Sequence, residues 1–186
     1  MFLIVGLGNP GNEYKDTRHN VGFNFIDNLS EQLGVKLERK EKFKAYYALT
    51  TLDDWEVVLL KPDTYMNLSG ISVKSIASFY KIPTDRIIIV HDDIDLNLGR
   101  VAYKFSGGAA GHNGLKSIDE NMSNNYHRIR IGIGRPSDPR YMVSDYVLGK
   151  FTPEETAVIK ESIEKAIKSL HFLLSNQIED FKRSIK

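Results

Sequence analysis

Five polar residues spread along the chain are of the types that hydrolytic chemistry needs: Asn9, His19, Asn67, Asp92 and Asn113. A neutral imidazole can take a proton from water near pH 7, and a carboxylate on its other nitrogen fixes the tautomer and stabilises the imidazolium that forms. Carboxamide and backbone N–H groups can hold a developing oxyanion or position a substrate. The chain has no cysteine and no serine in a nucleophile elbow, so water is the expected attacker.

Each residue also has a plainer reading. His19 in "TRHN" fits a loop before a helix, and Asn67 in "MNLSG" and Asn113 in "GHNG" fit helix caps. His91, His112, His127 and His171 are read as structural. Asp92, Asp93 and Asp95 in "HDDIDL" could hold a hard divalent cation or line a solvated turn. Position separates the five from this background, because ligands of open α/β sheets gather beyond the carboxyl ends of the strands.

The elements that place them follow from periodicity. "FLIV" (2–5) and "IIIV" (87–90) are apolar without alternation, as in central strands covered on both faces. "FKAYYALT" (43–50) and "WEVVLLK" (55–61) flank the turn "TLDD" as a hairpin. "HRIRIGIG" (127–134) puts isoleucines on one face and Arg128 and Arg130 on the other, a half-exposed strand. Helices are predicted from about 20 to Leu33, ended by Gly34; over 73–80, ended before Pro83; from Asn113; and from Pro153 to about Leu174, with Thr152 as N-cap. Strands and helices interleave without repeat or linker. The expected fold is α/β: one domain over 1–186, a mixed, twisted sheet with helices on both faces.

"GLGNPG" (6–11) has the G-x-G-x-x-G spacing of a dinucleotide site. In that fold a helix opens inside the motif and an acidic residue about 20 positions on ends the second strand. Here Pro10 interrupts, "NEYKDTRHN" is polar without helical period, and Asp27 falls inside the first helix. A Rossmann fold is not expected; the glycines are read as a sharp turn that presents Asn9.

A chain of 186 residues, 41% hydrophobic, suits one core. The start lacks the pattern of a signal peptide, and no apolar run approaches the roughly 20 residues of a membrane span, so a soluble cytoplasmic protein is expected. Formal net charge is only +1, yet residues 100–135 carry six basic side chains against two acidic ones, a local +4. On charge alone this is a solvated face; gathered on one side, it would be a nucleic-acid footprint.

"GLGNPGNEYKDTRHNVGF", "KPDTYMNLSG", "HDDIDLNLG", "GGAAGHNGLKSI" and "HRIRIGIGRP", in this order, resemble the bacterial peptidyl-tRNA hydrolase family along nearly the whole chain. The resemblance implies cleavage of the ester between a peptide and the 3′ ribose of tRNA, recycling tRNA from abandoned translation. It implies no cofactor, no metal, no obligate protein partner and a monomer. It makes His19 the base that activates water and Asp92 its partner. Asn67 and Asn113 then meet the substrate, and Asn9 favours an N-blocked peptidyl group over a free aminoacyl group. Tyr14 and Tyr65 would line the site of the tRNA end, and Lys104 and Arg130 would contact phosphates. Ala110 stands where glycine is common in the family, and its methyl is expected to stiffen or shift the loop before His112 and Asn113. The alternatives are a non-catalytic RNA-binding relative of the same fold and a metal-dependent hydrolase using the three aspartates.

Overall fold

The two apolar runs at 2–5 and 87–90 lie side by side at the centre of a sheet. In the computed structural model, which describes Met1–Lys186, the strands are β1 (Phe2–Gly6), β2 (Glu38–Lys40), β3 (Ala45–Leu52), β4 (Trp55–Pro62), β5 (Ile87–Asp93), β6 (Val101–Phe105) and β7 (His127–Gly132). They form one sheet in the order β2-β3-β4-β1-β5-β7-β6. The four middle strands run parallel. Antiparallel pairs extend both flanks. The predicted hairpin is present as β3–β4, closed by Asp53 and Asp54, with Leu52 opposite Trp55 and Asp53 at φ 52°.

The helices are α1 (Val21–Leu33), α2 (Ser69–Phe79), α3 (Asn113–Asn121), α4 (Val143–Val147), α5 (Pro153–Leu174) and α6 (Ile178–Ser184). Side chains of a strand alternate between faces, so β1 serves two cores. Phe2 and Ile4 pack with Phe25 and Leu29 of α1, Leu170 of α5 and Phe181 of α6. Leu3 and Val5 pack with Val73 and Ile76 of α2 and Leu115 of α3. Burial of each large aliphatic or aromatic side chain contributes about 1.5–3 kcal/mol, so the middle strands are the most firmly held part of the molecule. The fold is α/β and not a Rossmann domain: α1 opens at Val21, ten residues past the glycine motif. No helix is long and apolar enough to cross a membrane.

Most glycines of "GLGNPG" serve close approach instead of a turn. A β-carbon on Gly6 would stand 2.0 Å from the Gly22 carbonyl oxygen, and one on Gly8 would meet the Phe23 ring at 2.6 Å. They let α1 press onto the end of β1. Only Gly11, at φ 106°, supplies the left-handed backbone of the turn.

The capping of α5 matches the sequence reading: Thr152 Oγ1 accepts from Glu155 N–H, and Glu155 Oε1 accepts from Thr152 N–H. Four elements were not anticipated, β2, β6, α4 and α6, α4 being a single five-residue turn. The first two are short edge strands with weak alternation, and α6 is only seven residues. One expectation is corrected. Arg128 does not lie on a solvated face of β7 but is buried at 2% exposure. The loop after β6 folds over it, and the carbonyls of Gly107 and Gly108 accept from its guanidinium at 2.8 and 2.6 Å.

Candidate active site

The carboxyl ends of β1 and β5 bring His19 and Asp92 together. Asp92 is next to last in β5, and His19 sits in the 3-10 turn Arg18–Asn20 that leads into α1. His19 Nδ1 lies 2.8 Å from Asp92 Oδ2 and 3.0 Å from Oδ1. A carboxylate only accepts, so Nδ1 carries the proton and Nε2 keeps the lone pair. Both side chains are buried. Burial alone would lower the His19 pKa, but the Asp92 charge and hydrogen bond outweigh it and leave it raised above the ordinary histidine value. Burial would push Asp92 up; the imidazoles of His19 and His112 reverse that and hold it well below the usual carboxylate range.

His112, which the sequence alone reads as structural, is the third member of this cluster. It is the N-cap of α3, its Nδ1 accepting from Gly114 N–H at 3.1 Å and Leu115 N–H at 3.4 Å. Those donors require a lone pair on Nδ1, which puts the proton on Nε2, and Nε2 donates to Asp92 Oδ1 at 2.8 Å. The helix end thereby sets the tautomer of a side chain at the carboxylate. Because His112 does the capping, the carboxamide of Asn113, the first helical residue, is not used by the helix. His91 packs edge-on against His112 at 5.2 Å between ring centroids. Burial, then the neighbouring His112, push it down to about 3, so it stays neutral.

Asn9 lines a second groove, with Asn20, Asp27 and Lys61, and is fixed from two sides. Its Oδ1 accepts from Met66 N–H at 2.7 Å, which joins the loop after β1 to the turn Met66–Leu68. Asn20 holds its backbone, accepting from Asn9 N–H at 2.8 Å and donating to Asn9 O at 2.9 Å. Asn67 is exposed in that turn and caps no helix, since Leu68 is the N-cap of α2. A β-carbon on Gly114 would meet Met66 Sδ at 2.7 Å, so glycine there lets the start of α3, with Asn113, close on the turn that carries Asn67. Tyr14 and Tyr65 meet edge to face, ring centroids 6.4 Å apart.

A cavity of about 270 Å³ opens beside the cluster, lined by His19, Asp92, His112, Asn113, Lys104 and Arg130 among others. Val143 and Val147 of α4 form its apolar wall. Three of the six basic residues in 100–135 are internally engaged: Arg128 by the glycine loop, Arg130 by Asp93 at 2.8 Å, and Arg135 by Asp95 at 2.6 Å. Lys104 is exposed and lies along Gly107, where a β-carbon would meet its Cε at 2.5 Å.

The family model for peptidyl-tRNA hydrolase matches residues 3–186. The chain belongs to the peptidyl-tRNA hydrolase family. A relative named peptidyl-tRNA hydrolase from Rickettsia bellii is 47% identical over 182 residues, 98% of each chain. Another of that name from Clostridium botulinum is 50% identical over 179 residues, 96% of this chain and 92% of the relative. A crystal structure of peptidyl-tRNA hydrolase from Acinetobacter baumannii superposes with a TM-score of 0.94 at 40% identity, covering all of this chain and 94% of that one. This member of the family is accordingly an enzyme, a hydrolase.

The three aspartates of "HDDIDL" are drawn apart and do not converge on one cation: Asp92 faces the histidines, Asp93 takes Arg130 and Asp95 takes Arg135. The donor atoms of His19, Asp92 and His112 do lie within 4.8 Å of one another. Ligation through His112 Nε2 would need its proton on Nδ1, against two backbone N–H groups, so the set fits a hydrogen-bonded relay and not a metal centre. Sequence reading of this peptidyl-tRNA hydrolase relative missed His112, Asn20 and Arg128. "GHNG" and "RHN" placed the first two beside recognised residues, but nothing local distinguishes a histidine cap that also reaches a carboxylate.

Proposed function

We propose that this enzyme hydrolyses the ester linking a peptide to the 3′ ribose of tRNA. His19 Nε2 takes a proton from water, and the hydroxide adds to the ester carbonyl. The tetrahedral oxyanion collapses, breaking the bond to the ribose oxygen, which receives the proton from His19. The products are a peptide carboxylic acid, ionised at neutral pH, and tRNA with a free 3′ hydroxyl. Asp92 holds His19 in the base tautomer and stabilises its imidazolium. Asn113 donates to the oxyanion or water, Asn67 and Asn9 contact the peptidyl group, Tyr14 and Tyr65 offer aromatic surface to the tRNA end, and Lys104 and Arg130 meet phosphates.

The observation that carries this reading is the His19–Asp92 pair, with Nδ1 committed to the carboxylate and Nε2 left as the lone-pair nitrogen on a residue lining the cleft. Lys104 and Arg130, with the carboxamide of Asn113 in the same cleft, suit a substrate that is a polyanion at one end and a neutral peptide at the other. The test is hydrolysis of N-acetyl-aminoacyl-tRNA beside free aminoacyl-tRNA, with and without EDTA. The blocked substrate is cleaved in both conditions and the free one poorly. His19→Ala abolishes turnover while tRNA still binds; near-normal turnover would overturn the assignment of the base.

A further inference from the structure

The turn Arg18–Asn20 sends three consecutive side chains to three different parts of the molecule, and the third has no place in the chemistry described so far. Asn20 is buried at 3% exposure. Its carboxamide closes on the backbone of Asn9, eleven residues earlier, through both atoms: Oδ1 accepts from Asn9 N–H and Nδ2 donates to Asn9 O. The orientation is forced, because the backbone partner at each end has only one polarity.

The same logic runs on through Asn9. With its backbone held at both polar groups, its Oδ1 is brought 2.7 Å from Met66 N–H, which can only donate. The Asn9 side chain is thus fixed with its oxygen turned inward, and Nδ2 alone remains without a protein partner. In the groove it lines, Asn9 offers a bound group two N–H donors and no acceptor.

From this we infer that Asn20 is a positioning residue for substrate selection, and that it acts by making Asn9 a donor-only group. The inference rests on the function proposed above. An N-blocked peptidyl group brings a carbonyl oxygen, which accepts from Asn9. A free aminoacyl group brings a protonated amine, which has only donors and finds no acceptor on Asn9. Discrimination then comes from the direction in which one amide is locked, and Asn20 and Met66 N–H are the two locks. A site built to donate to a group disfavours an analogue lacking the acceptor, because its own polar atoms are left unpaired.

The test compares Asn20→Ala and the isosteric Asn20→Asp with the parent protein on N-acetyl-aminoacyl-tRNA and on free aminoacyl-tRNA. Asn20→Asp keeps an acceptor for Asn9 N–H and removes the donor to Asn9 O, so it supplies a second, shape-preserving probe if the alanine variant folds poorly. The expected result is a fall of at least about tenfold in the ratio of kcat/KM between the two substrates. The loss falls on KM for the blocked substrate, and the acid limb of the pH profile, which reports His19, does not move. Equal slowing of both substrates, or an unchanged ratio, overturns the inference and leaves Asn20 a structural residue. Failure of the parent protein to cleave either substrate would instead overturn the proposed function.

Discussion

At the scale of single residues, the state of each proton in the site follows from what its neighbours can accept or donate. Asp92 faces two N–H donors whose tautomers are set, one of them by a helix end. Replacing Asp92 with Asn leaves an oxygen for His112 and turns an NH₂ toward His19 Nδ1, which favours the proton on Nε2 and removes the base. Asp92→Asn should therefore lower kcat by about 10⁴-fold, the effect of a wrong tautomer in a comparable pair. The pH profile has a definite sign as well. As the proposed base His19 acts in its neutral form, and its pKa is raised by Asp92, so activity should be lost as pH falls through a value above the ordinary histidine pKa of about 6.5. In Asp92→Asn the acid limb of the residual activity moves to lower pH; a limb that stays in place would contradict the charge coupling. Ala110 is a different kind of residue-scale feature. It sits at φ 49°, in the left-handed region, where a methyl group costs about 1–2 kcal/mol, so Ala110→Gly should raise stability by about 1 kcal/mol in denaturant titration. Much at this scale was legible beforehand. Asn9 stands just past a strand, Asp92 at the carboxyl end of one and Asn113 at a helix mouth, where a general rule of α/β sheets looks for them. His112 and Asn20 were not legible, because their partners lie 20 and 11 residues away and only the fold brings them into contact.

At the scale of elements, the site depends on two short pieces of chain that each do two things. The first is the end of α3, where His112 both caps the helix and holds Asp92. Asparagine is as good an N-cap but too short to reach the carboxylate, so His112→Asn separates the roles. It should keep stability within about 0.5 kcal/mol while lowering turnover, whereas His112→Ala should lose a further 1 kcal/mol or about that; thermal unfolding and initial rates on the same samples decide it. The second is the turn of Arg18. Its guanidinium donates to Tyr146 O at 3.1 Å and Glu155 Oε1 at 3.3 Å and lies 4.2 Å from the centre of the Tyr146 ring. A β-carbon on Gly149 would strike it at 2.6 Å. One residue before the proposed base, the chain is thus fastened to α4, the apolar wall of the cleft, and to the first turn of α5. The long elements were visible in the sequence because burial on both faces of β1 and β5, and one face of α1 and α5, imposes clear periods. The edge strands β2 and β6 were not, since an exposed strand of three residues and a partly exposed one of five carry too little alternation to stand out.

At the scale of the whole molecule, a formal net charge of +1 leaves no general attraction to nucleic acid, so any affinity for tRNA has to come from a local surface. The segment 100–135 looks like +4 in sequence, but the fold draws Arg128 inside and pairs Arg130 and Arg135 with carboxylates. What faces the cleft is a smaller basic wall in which Lys104 is exposed and Arg130 is half-neutralised by Asp93. Binding through so few cations predicts a shallow dependence on salt. Each phosphate contact contributes about 0.7–0.9 to the slope of log K against log salt, depending on whether the strand is single or paired. Lys104→Ala should lower that slope by about this amount and weaken different tRNAs alike, because a phosphate contact carries no sequence information. Asp93→Asn should act in the opposite sense: releasing Arg130 from its carboxylate adds to the positive field over the cleft, tightening binding at low salt and steepening the slope. Filter binding or fluorescence anisotropy across a salt series measures both. Unchanged slopes in the two variants would mean that the tRNA approaches over another part of the surface, and the basic segment would revert to the solvated face that its charge alone suggests.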